Sequence, residues 1–166
     1  SSELAVVGTE VEREYIGVGS GIQDQFTCLH ARKSHVLWLD CRTLDYRHTP
    51  LPSSAKIVIC DTNTRRELAG SGYTNRAQDG HAAAHTIRLV DQRVQTLRDV
   101  SPAQLAEFEA LLTPNQFRRA RHVVTEIERV DQGLDVLEQG DLARFGGLMN
   151  ESYWSARDDY GSSSAA

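Results

Sequence analysis

The sequence predicts an α+β chain, and three observations carry that prediction. Apolar residues recur at helical spacing near the N-terminus. Three short strand candidates fall between residues 35 and 61, the first and last of them rich in Val, Ile and Leu. From residue 73 onward, capping signatures and 3.6-residue periodicity dominate. Helices, then strands, then helices again is the order of an α+β arrangement rather than of alternating βαβ units.

The elements follow in order. Residues 3–15 read as a helix with Leu4, Val7 and Val11 on one face. Residues 16–20 form a glycine-containing loop. A second helix is expected over residues 21–32, with Ile22, Phe26 and Leu29 as its apolar face; Ser20 can cap it and Gln23 can complete a capping box. Residues 35–40, 44–49 and 56–61 read as strands. Residues 64–72 are polar and rich in turn formers. Tyr73–Val90 is rich in alanine and reads as one long helix, weakened at Gly80. Ser101-Pro102-Ala103-Gln104 offers a cap, an N1 proline and an N3 glutamine, and Thr113-Pro114-Asn115-Gln116 repeats that signature. The helix after it is expected to run to about Gln139, and Asp141 to cap a last one reaching about Asp158. The tail at residues 161–166, GSSSAA, has the composition of a flexible linker.

Composition narrows the functional classes. The chain has 166 residues, 40% hydrophobic and 25% charged, which is a globular balance. A net charge of −5 gives no broad attraction to nucleic acid. No apolar run approaches the ~20 residues needed to span a bilayer. A basic region followed by an apolar run is missing from the first residues, so no signal peptide is expected. Cys28, Cys41 and Cys60 are odd in number and sit among apolar neighbours; reduced core thiols in a cytoplasmic protein are expected. Trp38 and Trp154 are expected in the core.

Candidate chemistry centres on Asp24. It lies one turn into a helix that follows Gly17-Val18-Gly19-Ser20-Gly21, where backbone can approach a ligand closely and free N–H groups face its oxygens. A carboxylate there can accept a proton from a substrate hydroxyl. The same spacing also describes an aspartate that merely complements the helix dipole, which should keep it ionised. Tyr73, after Gly70-Ser71-Gly72, could line a site or pack in the core. His81 and His85 have a zinc-compatible spacing but no third ligand and no HExxH, so no metal site is assigned. Arg118, Arg119 and Arg121 precede Glu126, Glu128 and Asp131, which favours a salt-bridged helix face over a nucleic-acid patch.

Five stretches together resemble the galactokinase family of the GHMP small-molecule kinases. They are EYIGVGSGIQDQF from Glu14, LDCRTL from Leu39, IVICDTNTRREL from Ile57, FRRARHVVTE from Phe117 and LMNESYWSARDDY from Leu148. The resemblance implies a GHMP-kinase-like α+β fold. Residues 1–52 would be the latter part of the N-terminal domain, residues 53–160 the helical layer of the C-terminal domain, and 161–166 a flexible linker or tail.

It also implies transfer of the ATP γ-phosphoryl, with Mg²⁺, to the 1-hydroxyl of α-D-galactose. Asp24 matches the catalytic base, and Gly21 and Tyr73 match contacts to the sugar. Galactose and ATP are the small-molecule ligands so implied; nucleic acid, membrane and a defined protein partner are not. The family's Glu-His-x-Asp cluster, serine-rich phosphate loop and C-terminal glycine-rich loop are expected outside these residues, so cofactor-binding residues are not assigned. Two departures stand inside the matched stretch: Ser20 replaces a cysteine, and Arg76-Ala77-Gln78-Asp79 replaces an RR-x-x-C pattern. Alternatives on the same fold are a non-catalytic galactose- and ATP-sensing regulator, a kinase for another sugar, and an inactive piece.

Overall fold

A computed structural model describes residues 1–61 and 73–162. Contacts divide them into two units: residues 1–61 with 134–142, and residues 73–133 with 143–162.

The first unit opens with helix α1, Ser2–Val11, which widens into a π-helical turn at Glu12–Ile16 and stops at Gly17 in the left-handed conformation. The expected inward face is reversed. Leu4, Val7 and Val11 are exposed, at 57%, 52% and 47%, while Ala5 and Thr9 are buried. The buried stripe is made of small residues, which allow another helix to approach closely. That helix is α2, Gln23–His30. Phe26 is its anchor, fully buried and stacked on His30 at 4.2 Å between ring centres, with Tyr46 edge-on at 5.3 Å.

Strands β1, His35–Leu39, and β2, Tyr46–Pro50, form an antiparallel hairpin with register from His35↔Pro50 to Leu39↔Tyr46. The expected second strand began too early. Asp40 Oδ1 accepts the N–H groups of Arg42 and Thr43 at 2.8 and 3.1 Å, and Leu44 has φ of 62°. Those residues form the connecting loop, so the LDCRTL motif is hairpin chemistry. The expected strand at 56–61 does not form. Among the described residues it has no pairing partner, and Ile57, Val58 and Ile59 are all strongly exposed, Ile59 at 93%.

The second unit is helical. Its elements are α3, Tyr73–Val90, α4, Pro102–Glu107, α5, Pro114–Glu138, and α6, Leu142–Ser155, the last followed by a π-helical turn at Ala156–Tyr160. The last residues of α5 group with the first unit. Both capping boxes form as expected. Ser101 and Gln104 exchange side-chain-to-backbone bonds of 2.9 and 3.3 Å, and Thr113 and Gln116 do so at 3.0 and 3.3 Å. The core packs Ala83, Ala84 and Ile87 of α3 against Leu97, Val100 and Leu105, and against Ala120 and Val124 of α5. Among the described residues no helix is long and apolar enough to cross a membrane.

Three further expectations are corrected. Cys28, Cys41 and Cys60 form no disulfide, as read, but all three are exposed rather than in the core. Cys28 shares α2 with inward-facing Phe26 but lies on its outer side, Cys41 is in the hairpin loop, and Cys60 follows the unpaired run. Trp154 is 49% exposed and covered on one side by the Arg157 guanidinium, 4.3 Å from its ring centre. Trp38 is half-buried beneath Arg47, at 4.9 Å. The polar stretch at residues 64–72 lies outside the described residues, as do residues 163–166.

Candidate active site

Asp24 sits in the first turn of α2, exposed, with half-buried Gln25 and buried Phe26 following it. The loop before it is held from α1's end. Ser20 Oγ donates to Glu12 Oε2 at 2.5 Å, and Arg13 Nε donates to the Ser20 carbonyl at 2.9 Å. Ser20 therefore does not cap α2, as its position suggested. The helix begins at Gln23, after Ile22, with no side-chain cap. Its hydroxyl is drawn to Glu12 because a charge-assisted bond to a carboxylate is stronger than one to a neutral amide. Among the described residues, the helix start is thereby left without a side-chain cap.

Gly21 is exposed, and a Cβ built there meets nothing within 4 Å. Open space of that kind beside an uncapped helix start is where a ligand hydroxyl can reach the backbone and the Asp24 carboxylate together. The structure thus brings two of the three expected site residues, Gly21 and Asp24, to one helix entrance. Tyr73 begins α3 in the second unit, and its side chain lies outside the described residues. Among the described residues no three His, Cys, Asp or Glu side chains converge on a metal-sized site; His81 and His85 are both exposed.

The second unit explains two other motifs. FRRARHVVTE on α5 packs against LMNESYWSARDDY on α6 and its final turn. Arg121 grips the Asp159 carboxylate with two nitrogens, Nε to Oδ2 at 2.9 Å, and Arg119 donates to the Asp159 carbonyl. His122 Nδ1 lies 2.9 Å from Ser155 Oγ, and its ring stacks on Tyr160 at 4.7 Å. Ser152 Oγ donates to Glu126 Oε2 at 2.6 Å, and Arg129 pairs with Glu126. Salt bridges were expected, but the partner of Arg121 lies 38 residues away rather than one helical turn along. Spacing within one helix carries no signal for a cross-helix pair. The clue was that both halves were themselves recognisable motifs.

This seam yields two predictions. Gly161 closes the turn at Ala156–Tyr160 with φ of 65°, and a Cβ there would meet Arg119 Nη1 at 3.1 Å. Left-handed backbone costs a non-glycine residue roughly 1–2 kcal/mol. Gly161→Ala is therefore expected to lower the unfolding free energy by about that much, measured by urea titration. Ser162 also bonds back to the Ala156 carbonyl at 3.0 Å, so the segment expected as a tail begins with two anchored residues.

His122 carries the second prediction. Burial pushes its pKa below 6.5; Asp159 opposes that shift, and Arg129 and Arg119 add to it. The folded state thus prefers neutral imidazole. As pH falls through 6.5 the unfolded chain binds a proton that the folded chain resists, so stability declines there and is fully lost to this group below the depressed folded value. Melting temperature should fall between pH 7.5 and 5.5 in the parent and less so in His122→Gln. Equal slopes in the two proteins would contradict the assignment.

The fold on which Asp24 and Gly21 sit is the GHMP-type α+β fold that the sequence predicts. One solved structure it resembles is a galactokinase: the Lactococcus lactis enzyme, crystallised with galactose, superposes with a TM-score of 0.85 at 31% identity, covering 96% of this chain and 41% of that one. The curated relatives agree. Galactokinase of Roseiflexus sp. (strain RS-1) is 45% identical over 158 residues, and that of Chloroflexus aggregans is 40% identical over the same number; each match covers 95% of this chain. Galactokinase of Mannheimia succiniciproducens is 37% identical over 163 residues. No protein-family model matches the chain. The chain is thus homologous to galactokinases over nearly all of its length, and it spans about 40% of theirs.

Proposed function

We propose that this chain supplies the catalytic carboxylate and part of the sugar site of a galactokinase, which phosphorylates the 1-hydroxyl of α-D-galactose from ATP with Mg²⁺. The observation that carries the reading is the placement of Asp24. It stands exposed at an uncapped helix entrance beside open Gly21, within a chain 45% identical to a galactokinase over 158 residues.

In this reading the 1-hydroxyl of the sugar approaches the first turn of α2 and hydrogen-bonds Asp24. The carboxylate orients the hydroxyl along the line of attack and takes its proton as the oxygen bonds to the γ-phosphorus of ATP and the bond from that phosphorus to the departing ADP oxygen breaks. Most of the acceleration in phosphoryl transfer comes from positioning and charge neutralisation, so the orienting role matters at least as much as basicity. Gly21 offers backbone at close range to the sugar, and Tyr73 contributes a further contact. Mg²⁺ neutralises the phosphates when bound; no described residue is assigned to it. In the same reading residues 1–52 and 53–160 belong to successive kinase domains, and no residue of this stretch is assigned to the phosphate-binding loops or to the family's Glu-His-x-Asp cluster. That none of the three cysteines is in a disulfide suits the reducing cytoplasm in which the enzyme would act.

The test is a chimera in which this chain replaces the matching stretch of the Roseiflexus galactokinase. ADP release is measured with galactose, arabinose and N-acetylgalactosamine. Galactose is expected to give the highest kcat/KM. A clear preference for either of the others would defeat the substrate assignment.

A further inference from the structure

Among the described residues no hydrogen bond or ion pair fixes the direction of the Asp24 carboxylate, yet a base must be held to within a fraction of an ångström to act well. The fixing element has to be the residues beside it. Gln25 follows Asp24 in α2 and points the other way, toward α1. Its stem lies over Gly8: a Cβ built at Gly8 would come 3.2 Å from Gln25 Cγ and 3.7 Å from Gln25 Cβ. Its amide oxygen lies 3.4 Å from the hydroxyl of Thr9, which is only 4% exposed and shares its single proton between that oxygen and the nearer Ala5 carbonyl, at 2.9 Å. Gly8 leaves room for the glutamine stem, and Thr9 offers its end a buried polar partner. The same pair of helices therefore holds one side chain at two points one residue away from the reacting carboxylate.

We propose that Gln25, seated in the notch formed by Gly8 and Thr9, is a positioning residue that sets the angle of the Asp24 carboxylate. The inference rests on the catalytic reading of Asp24. Because α2 is only eight residues long, a small rotation about its axis is not averaged out along a long helix, and it swings its first turn directly. Losing the amide contact frees that rotation while Phe26 keeps the helix in place. The consequence is a loss of rate more than of sugar affinity.

The chimera carries the test, with kcat and galactose KM measured alongside melting temperature. Gln25→Met keeps the stem and removes the amide; Thr9→Val keeps the volume and removes the hydroxyl. Each is expected to lower kcat about 10-fold with KM changed less than about 2-fold, on the scale at which misplacement costs rate. The double variant is expected to lose no more than either single one, and Thr9→Ser to restore kcat. Additive losses, or full kcat in Gln25→Met alongside a dead Asp24→Asn, would overturn the positioning role while leaving the base in place. An active Asp24→Asn would overturn the catalytic reading and this inference with it. A drop in melting temperature with unchanged kcat would mark Gln25 as structural only and so also overturn the proposal.

Discussion

Asp24→Asn in the chimera is expected to lower kcat by about two to four orders of magnitude, the range over which a positioned base contributes, while galactose KM moves far less. Asparagine keeps the size of the side chain and can still accept a hydrogen bond from the sugar. It cannot take the proton. If orientation were the whole role, the amide would retain much of the rate, so the depth of the loss separates the two contributions. The substitution is also structurally gentle. Asp24 is exposed, and α2 has no side-chain cap for it to disturb. A melting temperature within a few degrees of the parent is expected, and that makes a deep loss of kcat a statement about chemistry. Near-normal turnover would remove Asp24 from the mechanism.

Phe26→Ala is expected to be the most damaging packing change in the first unit, at about 3–5 kcal/mol. Phe26 is fully buried, and its ring is the shared surface for His30 and Tyr46. Removing it empties the contact between α2 and the hairpin at β2. A loss of that size is a large share of the ~5–15 kcal/mol by which a domain is stable. Urea unfolding followed by circular dichroism should show the midpoint move sharply, and activity should fall with it because α2 carries Asp24. A small shift, with the ring's space refilled by Tyr46, would contradict the view that Phe26 anchors the site helix.

Much of the fold was legible where signals are local. The capping boxes at Ser101 and Thr113 depend on residues three apart, and both formed with their expected partners. Tyr73–Val90 is the helix that composition indicated. What failed depends on neighbours distant in sequence. The apolar face of α1 read as core because Leu4, Val7 and Val11 align, but α2 chose the side where Gly8 permits close approach. The run Ile57-Val58-Ile59 has strand composition, yet a strand needs a partner, and no described segment pairs with it. Cys28 and Trp154 have apolar neighbours in sequence, yet both are exposed.

For the site, residue type and spacing alone left Asp24 open between a dipole-complementing and a catalytic role. The family motifs singled it out. The structure adds something neither supplied: Ser20 is held by Glu12 and not by the helix it precedes, which leaves the entrance beside Asp24 and Gly21 free of any side-chain cap. The arginine-rich motif was legible as charge but not as geometry, since Arg121 finds Asp159 across to another element.

The central claim is that this stretch serves phosphoryl transfer to galactose, not galactose sensing. Phosphorus NMR of the chimera with ATP, Mg²⁺ and galactose tests it most directly, with galactose binding measured in parallel by calorimetry. A growing signal of α-galactose 1-phosphate, matched by ADP, is expected. Galactose binding with no new phosphate ester and no ADP would contradict it.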